Sequence, residues 1–212
     1  GYGPYKLNAA MAFGGIELLK DTIQKTYDIS IDKYIIINFW GFEAIIDQIG
    51  GLEIDVKEYQ LDELNKYIGE STGGNDCPVT EPGLQLLNGK QALSYARIRK
   101  GVGDEFERTE RQRAVLTALF NKALNVPATQ YLDVISTLAQ YATTNLNTNE
   151  ILKLATKIGS MGLNGVTIEQ ERFPIDGYYE GTMIDGIYYL TFDATATRTQ
   201  VMNYIFNDQL PQ

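Results

Sequence analysis

Five arginines lie in one short stretch of this chain, from Arg97 to Arg113, and no arginine precedes them. The formal net charge at pH 7 is −9, so this concentration of cations is a local feature of an acidic protein. A guanidinium group stays charged at neutral pH, and its planar fork matches phosphate oxygens two at a time. The stretch is therefore a candidate anion site. The arginine cluster consists of Arg97, Arg99, Arg108, Arg111 and Arg113.

The alternative to an anion site is an exposed charged helix, in which neighbouring glutamates pair with the arginines. The spacing of residues along the helix distinguishes the two interpretations. Phe106 to about Asn125 has apolar residues at helical intervals. Arg108 and Arg111 precede Val115 by seven and four residues, so they prolong the apolar stripe, whereas Arg113 is expected to be exposed to solvent. Charges on a buried face are rarely left unpaired, and a helix N-terminus attracts anions. The spacing favours a phosphate site.

Composition excludes several kinds of chemistry. The chain has no histidine, which excludes histidine general bases, serine-histidine triads and imidazole zinc sites. The single cysteine, Cys77, excludes an internal disulfide and a cysteine metal cluster. Catalysis must then rely on carboxylates, arginines, hydroxyls or a hard metal ion, which suits phosphoryl transfer. The sequence pI of about 4.6 argues against broad nucleic-acid binding.

The elements around the cluster predict an α/β fold. Tyr34–Phe39 is an apolar run typical of a buried strand, Phe42–Gln48 is a helix that ends at two glycines, and Glu53–Val56 is a second strand. We expect a mixed central β-sheet flanked by helices in α-β-α layers, forming a single domain over residues 1–212. No apolar run approaches the ~20 residues that span a bilayer.

Further elements follow from the same reasoning. A helix from Asn8 to about Gly14 is broken at Gly15, and a second helix follows. The polar segment Tyr59–Pro82 is expected at the surface, and the helix Asn88–Ala96 delivers Arg97 and Arg99 to a loop. The remaining predictions are a helix at Ile16–Thr26, helices at Gln130–Tyr141, Thr148–Ile158 and Ala194–Phe206, and strands at Thr167–Phe173 and Ile187–Phe192.

Three ordered blocks resemble the LytR-CpsA-Psr family. The run Gly83–Arg99, followed by Asp104, Arg108 and Arg111-Gln112, is similar to the family signature. Tyr5–Gly15 resembles its lysine-x-asparagine-alanine-alanine block. The segments Asp32–Phe42 and Ile49–Val56 resemble its central strand-helix-strand block. Together the blocks span residues 5 to 113 in the family's order, and three ordered blocks are more specific than any one of them.

The resemblance implies a phosphotransferase that moves a glycopolymer, such as teichoic acid or capsular polysaccharide, from an undecaprenyl-pyrophosphate carrier to peptidoglycan. It implies a membrane-anchored protein on the extracytoplasmic face of the cell membrane and Mg2+ as the cofactor. The acidic charge, in turn, predicts no nucleic-acid partner. The alternatives are a non-catalytic polyprenyl-phosphate-binding protein and a transcription-attenuator type of regulatory protein. The acidic charge and the lack of a helix-turn-helix signature weigh against the regulatory alternative.

Site roles follow from the cluster and the resemblance together. We expect Arg99 and Arg108 to be catalytic, neutralising the charge that develops as the bond between the phosphates breaks. Asp104 acts as a base toward a sugar hydroxyl or fixes an arginine, and the sequence favours the second role. The expected substrate-binding residues are Arg97, Arg111 and Gln112, together with Lys6 and Asn8, which the resemblance alone implicates.

The chain departs from the family pattern at its start. In the family, metal-binding aspartates and a proline-arginine-aspartate motif precede the lysine-x-asparagine block, and neither has a counterpart in this sequence. We therefore expect the Mg2+ ligands and the membrane anchor upstream of Gly1 and assign no metal ligand within the chain. We also expect these 212 residues alone to be a weak or inactive transferase.

Overall fold

The computed structural model describes residues 5–71, 77–99, 105–161 and 168–211. These residues form both helices and short strands, so the predicted mixed α/β class is confirmed. The helices are α1 (Ala9–Tyr27), α2 (Phe39–Gln48), α3 (Leu61–Gly69), α4 (Gly89–Arg97), α5 (Glu105–Leu124), α6 (Tyr131–Tyr141), α7 (Thr148–Met161) and α8 (Ala194–Asn207). The strands are β1 (Ile35–Ile37), β2 (Leu52–Val56), β3 (Gly83–Leu87), β4 (Ala142–Thr144), β5 (Tyr179–Ile184) and β6 (Ile187–Phe192).

The strands of the described residues form three two-stranded antiparallel sheets, where the sequence predicts one central sheet. Ile36 lies opposite Thr143 in the β1–β4 pair, and Ile54 lies opposite Gln85 in the β2–β3 pair. Helix α2 therefore connects strands of two different sheets. The physical reason is visible in β2, whose residues alternate between buried and exposed. Such alternation suits a half-buried antiparallel pair, whereas central parallel strands are buried on both faces.

The chain divides into two compact units, one made of Gly1–Asp32 with Gln170–Gln212 and the other of Lys33–Glu169. The first unit, called the terminal unit here, contains α1, the β5–β6 hairpin and α8. The second, called the central unit, contains the remaining described elements and all five residues of the arginine cluster. That residues 1–212 form one domain stays a prediction.

In the terminal unit, the first and last helices are joined directly. Helix α1 contains a kink at Gly14 and Gly15, where φ is +64° at Gly15, as the sequence predicts. Arg198 of α8 donates hydrogen bonds to the carbonyl oxygens of Lys25 (2.8 Å) and Thr26 (3.1 Å) in the last turn of α1. A cation at a helix C-terminus satisfies carbonyl groups that have no partner within the helix.

The hydrophobic core of the central unit is built around β2, α3, α4 and α5. Leu64 and Ile68 of α3 are fully buried in this core. The prediction that Tyr59–Pro82 lies at the surface is therefore wrong for α3. Its buried residues are separated by polar ones such as Asn65 and Lys66, so the apolar stripe is narrow and was overlooked.

Helices α2 and α4 pack very closely at Gly89. A Cβ atom at Gly89 would overlap the carbonyl oxygen of Glu43 and lie 2.6 Å from its carbonyl carbon. The backbone N–H of Gly89 donates a 2.7 Å hydrogen bond to Oδ1 of Asp47. Only glycine permits this approach, so α4 begins at a fixed point on α2.

In the C-terminal third, the predicted helices and the strand Ile187–Phe192 are confirmed, whereas one predicted strand is wrong and strands β4 and β5 were not predicted. Residues 168–173 contain no strand, so the predicted strand Thr167–Phe173 is wrong for its described part, and Thr167 lies outside the described residues. Residues 168–173 are not paired with any strand of the described residues, although the sequence analysis predicts a strand there. Strand β5 supplies the partner of β6 instead, and the sequence analysis missed it. Within the described residues, no helix is both long enough and apolar enough to cross a membrane.

Candidate functional site

The first part of the arginine cluster lies at the C-terminal end of α4. Asn88 begins this helix with a reciprocal capping box, in which its Oδ1 accepts from the Gln91 backbone and Gln91 Oε1 accepts from the Asn88 backbone, each at 2.9 Å. Arg97 is the last residue of α4, so it ends the helix rather than lying in the loop beyond it. Ile98 is fully buried, and Arg99 is exposed. The buried side chain of Ile98 therefore fixes the end of α4, and Arg97 and Arg99 lie on either side of it in the sequence.

The second part of the cluster lies in the first turns of α5. Arg111 is 3% exposed, and Arg108 is half-buried, as expected for residues that prolong the stripe ending at buried Val115. Arg113 is half-buried rather than fully exposed. The Nη1 atom of Arg111 lies 3.4 Å from a carboxylate oxygen of Glu107, one turn earlier. The predicted buried position is therefore confirmed for Arg111, whereas the expected exposure of Arg113 is wrong, since Arg113 is as half-buried as Arg108.

Two hydrogen bonds bring the two parts together. Nη2 of Arg111 donates to the carbonyl oxygen of Ile98 at 3.0 Å. Nε2 of Gln112 donates to the carbonyl oxygen of Ala96 at 3.4 Å. Consecutive residues of α5 thus bind the backbone at the end of α4, which carries Arg97. The predicted substrate-binding roles of Arg111 and Gln112 stay predictions, but these bonds give both residues a structural role as well.

Aromatic rings surround the guanidinium of Arg97. Its Cζ atom lies 5.3 Å from the ring centroid of Phe39 and 5.6 Å from that of Tyr67. Both distances fall within the range in which a cation is attracted by the face of a ring. The sequence analysis missed Phe39 and Tyr67, because they lie on α2 and α3, far from Arg97 along the chain, and no local pattern links them to it.

A buried tyrosine lies beneath the cluster. Burial raises the pKa of the Tyr95 phenol above its usual 10.0, while a hydrogen bond with Gln60 and the charge of Arg111 oppose that rise. Gln60 is itself buried, and its Oε1 accepts a hydrogen bond from the Lys57 backbone. This polar network fixes the side of α4 that faces the core.

The remaining predicted residues fall elsewhere. Asp104 lies outside the described residues. Lys6 and Asn8 belong to the terminal unit, where both are exposed. Nζ of Lys6 lies 5.5 Å from the ring centroid of Tyr189, and the side chain of Asn8 makes no capping hydrogen bond at the start of α1. Their substrate contacts stay predictions.

Carboxylates do not gather into a metal site in the part of the chain that the structure describes. No group of three or more histidine, cysteine, aspartate or glutamate side chains is placed to hold an ion among residues 5–71, 77–99, 105–161 and 168–211.

Comparison with known proteins identifies the family. A sequence model of the LytR_cpsA_psr family matches residues 2–204. The chain belongs to the LytR_cpsA_psr family. The match runs through both compact units and includes every residue of the arginine cluster.

Relatives within the LytR_cpsA_psr family carry two kinds of name. The chain is 33% identical over 191 residues to the regulatory protein MsrR of Staphylococcus aureus, covering 88% of this chain and 54% of that protein. It is 30% identical over 193 residues to TagU of Bacillus licheniformis, a polyisoprenyl-teichoic acid–peptidoglycan teichoic acid transferase, covering 90% and 56%. The chain thus spans about half the length of these relatives.

Solved structures agree with the assignment. The structure of TagT bound to LIIa-WTA is 25% identical in sequence and superposes with a TM-score of 0.73, covering 98% of this chain and 73% of that one. The likeness confirms that this chain has the mixed α/β fold of the LytR_cpsA_psr proteins.

Proposed function

We propose that this chain is the catalytic region of a phosphotransferase that moves a glycopolymer from an undecaprenyl-pyrophosphate carrier to peptidoglycan, on the extracytoplasmic face of the cell membrane. The observation that carries the proposal is the joining of α4 to α5 through the hydrogen bonds of Arg111 and Gln112. These bonds hold the arginines at the end of α4 close to the first turns of α5, which carry Arg108. Guanidinium groups held in this way form a cationic surface suited to a pyrophosphate.

In the proposed reaction, a hydroxyl of peptidoglycan attacks the phosphorus atom that carries the glycan. The bond between the two phosphates breaks, and the lipid monophosphate leaves with the bridging oxygen. Negative charge builds up on the oxygens of both phosphates during this step. Arg99 and Arg108 stabilise that charge, and Arg97 and Arg111 hold the second phosphate or orient the first pair. Asp104 accepts the hydroxyl proton or fixes an arginine.

The family resemblance makes Mg2+ the expected cofactor. A hard cation of this kind is held by several oxygen ligands and supplies positive charge to phosphate oxygens. The described residues offer no carboxylate cluster that fits it, so no step above passes through the ion. The proposed work of this chain's own residues is the binding and orientation of the two phosphates.

The names of the relatives support the substrate class. TagU is named as a transferase of teichoic acid from a polyisoprenyl carrier to peptidoglycan, and TagT has been solved with LIIa-WTA bound. Teichoic acid is therefore the first donor to test, and capsular polysaccharide is the second.

Calorimetry with inorganic pyrophosphate and with geranylgeranyl pyrophosphate tests the site. Arg108→Ala should weaken binding by roughly 2 kcal/mol or more, because charge-assisted hydrogen bonds are lost. Arg113→Ala is the matched control, since this arginine lies on the same helix outside the stripe of Arg108 and Arg111. Equal affinities of wild type and Arg108→Ala would count against the site. Transfer of lipid-linked teichoic acid to peptidoglycan then tests the reaction itself.

A regulatory function is the second candidate, because MsrR is named as a regulatory protein. A net charge of −9 repels nucleic acid, and the arginines are gathered in one place rather than spread along a face. We therefore expect no sequence-selective DNA binding at physiological salt. A gel shift that survives such salt and depends on sequence would favour the regulatory function.

A further inference from the structure

Arg97 differs from Arg111 in what surrounds its charge. Arg111 is buried and contacts a backbone carbonyl and a glutamate. Arg97 lies over the rings of Phe39 and Tyr67, and no carboxylate among the described residues forms an ion pair with it. A ring attracts a cation through its electron-rich face and accepts no conventional hydrogen bond. The five N–H donors of the Arg97 guanidinium are thus not consumed by a carboxylate acceptor.

Phe39 and Tyr67 belong to helices whose backbones are held by capping and packing. Phe39 is the first residue of α2, whose start is capped by Asn38 Oδ1 accepting from the Gly41 backbone at 2.8 Å. A Cβ atom at buried Gly41 would overlap Cβ of Tyr141, so this end of α2 packs closely against α6. On α3, Tyr67 lies beside fully buried Ile68.

An arginine side chain loses about 2 kcal/mol of rotamer freedom when it is fixed. The rings of Phe39 and Tyr67, on two different helices, restrict the side-chain rotamers of Arg97 in the unbound protein. Less conformational entropy of this side chain is then lost when a ligand binds. A restricted guanidinium with available donors is what recognition of a diphosphate requires, because both phosphates present oxygens at fixed separations. Phe39 is 53% exposed and Arg97 is half-buried, so this cation–ring pair lies at the surface of the central unit.

We propose that Phe39 and Tyr67 are positioning residues that orient Arg97 toward a pyrophosphate group. This inference rests on the proposed function, since it takes four of the clustered arginines, Arg97, Arg99, Arg108 and Arg111, as the pyrophosphate site. Neither ring needs to touch the ligand, and both act through the guanidinium. Their contribution therefore depends on the presence of Arg97.

Calorimetry with inorganic pyrophosphate tests the inference, because this probe has no lipid or sugar that a ring could contact. Phe39→Leu and Tyr67→Leu should each weaken binding about two- to five-fold, the range expected for a partly exposed cation–ring contact. Phe39→Tyr and Tyr67→Phe keep a ring and should bind like the wild type. Tyr59→Leu is the matched control, because Tyr59 is an exposed aromatic residue of the same unit that is not in contact with Arg97.

A double-mutant cycle distinguishes positioning from general damage to the fold. In an Arg97→Ala background, Phe39→Leu and Tyr67→Leu should have no further effect on pyrophosphate affinity. Thermal unfolding of every variant checks that the folded state is intact. Phe39→Leu keeps the test decisive even if the Tyr67 variant is unstable, since Phe39 is half-exposed.

The outcomes separate this inference from the proposed function. If Arg108→Ala weakens pyrophosphate binding but both leucine variants bind like the wild type, the positioning role is wrong and the proposed site stands. Equal losses with and without Arg97 would also overturn the positioning role. If the wild type does not bind pyrophosphate at all, the proposed function and this inference fail together.

Discussion

Arg111 Nη2 and the carbonyl oxygen of Ile98 form a 3.0 Å hydrogen bond across thirteen residues of sequence. The guanidinium is 3% exposed and Ile98 is fully buried, so the bond is shielded from water. A buried carbonyl that lost this partner would have no solvent to replace it. One cation of the proposed phosphate site thus also supports the fold.

Arg111→Ala should lower the free energy of unfolding by about 3 kcal/mol, because it removes buried packing and leaves the Ile98 carbonyl unsatisfied. Urea denaturation measures this loss. Arg113→Ala, on the same helix but half-buried, should cost less than about 1 kcal/mol. Equal stabilities of the two variants would show that the Arg111 bond contributes little.

Gly89→Ala should lower the free energy of unfolding by about 2 kcal/mol or more, since the new methyl group would overlap the backbone of Glu43 and force α2 and α4 apart. Gly181→Ala is a suitable comparison. There the added Cβ would meet only the side chain of Tyr188, which is 54% exposed and free to turn away. Denaturation midpoints should therefore fall much further for Gly89→Ala.

The buried Tyr95 phenol should make the central unit sensitive to alkali. Its folded-state pKa is raised above 10.0 by burial, so the unfolded chain ionises first as the pH rises. The stability from the neutral phenol is fully present below about pH 10 and is lost as the pH climbs through the raised pKa. Urea melts at about pH 9 and about pH 11 should show a smaller alkaline loss for Tyr95→Phe than for wild type. The same loss in both proteins would assign the effect to other groups.

Removal of Mg2+ with EDTA should affect pyrophosphate binding and teichoic acid transfer differently. The arginine cluster supplies the positive charge for binding in our proposal, so EDTA should leave the affinity for inorganic pyrophosphate within about two-fold. Teichoic acid transfer should in contrast depend on added Mg2+ if the cofactor implied by the family acts in this protein. Calorimetry in EDTA and a transfer assay with graded Mg2+ provide the two readings. A large loss of pyrophosphate affinity in EDTA would place a cation within the binding step.

The sequence predicted those features that depend on local patterns. The buried position of Arg111, the helix predicted to begin at Asn88 and the break at Gly15 all follow from residue spacing within a few turns of chain. Each was predictable because the physical cause lies within the same segment. The predicted end of α4, Ala96, differs by one residue from the observed end, Arg97. Assignments of helix termini commonly differ by one or two residues.

Features that depend on distant partners could not be predicted in the same way. The pairing of β1 with β4 joins Ile35 to Thr144, and three-residue strands carry too little pattern to reveal it. The rings around Arg97 come from α2 and α3, so their contact with it is a result of packing. Buried α3 was missed because its polar residues hide an apolar stripe of Leu64 and Ile68.

The hydrogen bonds from Arg198 to the end of α1 have a consequence for how the polypeptide is assembled. The two partners are separated by more than 170 positions, and the whole of Lys33–Glu169 lies between them in sequence. The central unit is complete well before the ribosome has made α8, so it is able to fold while the chain is still growing. Residues 5–32 must wait for the final helix. The lysine-x-asparagine segment therefore acquires these native partners later than the central unit, although it precedes that unit in the sequence.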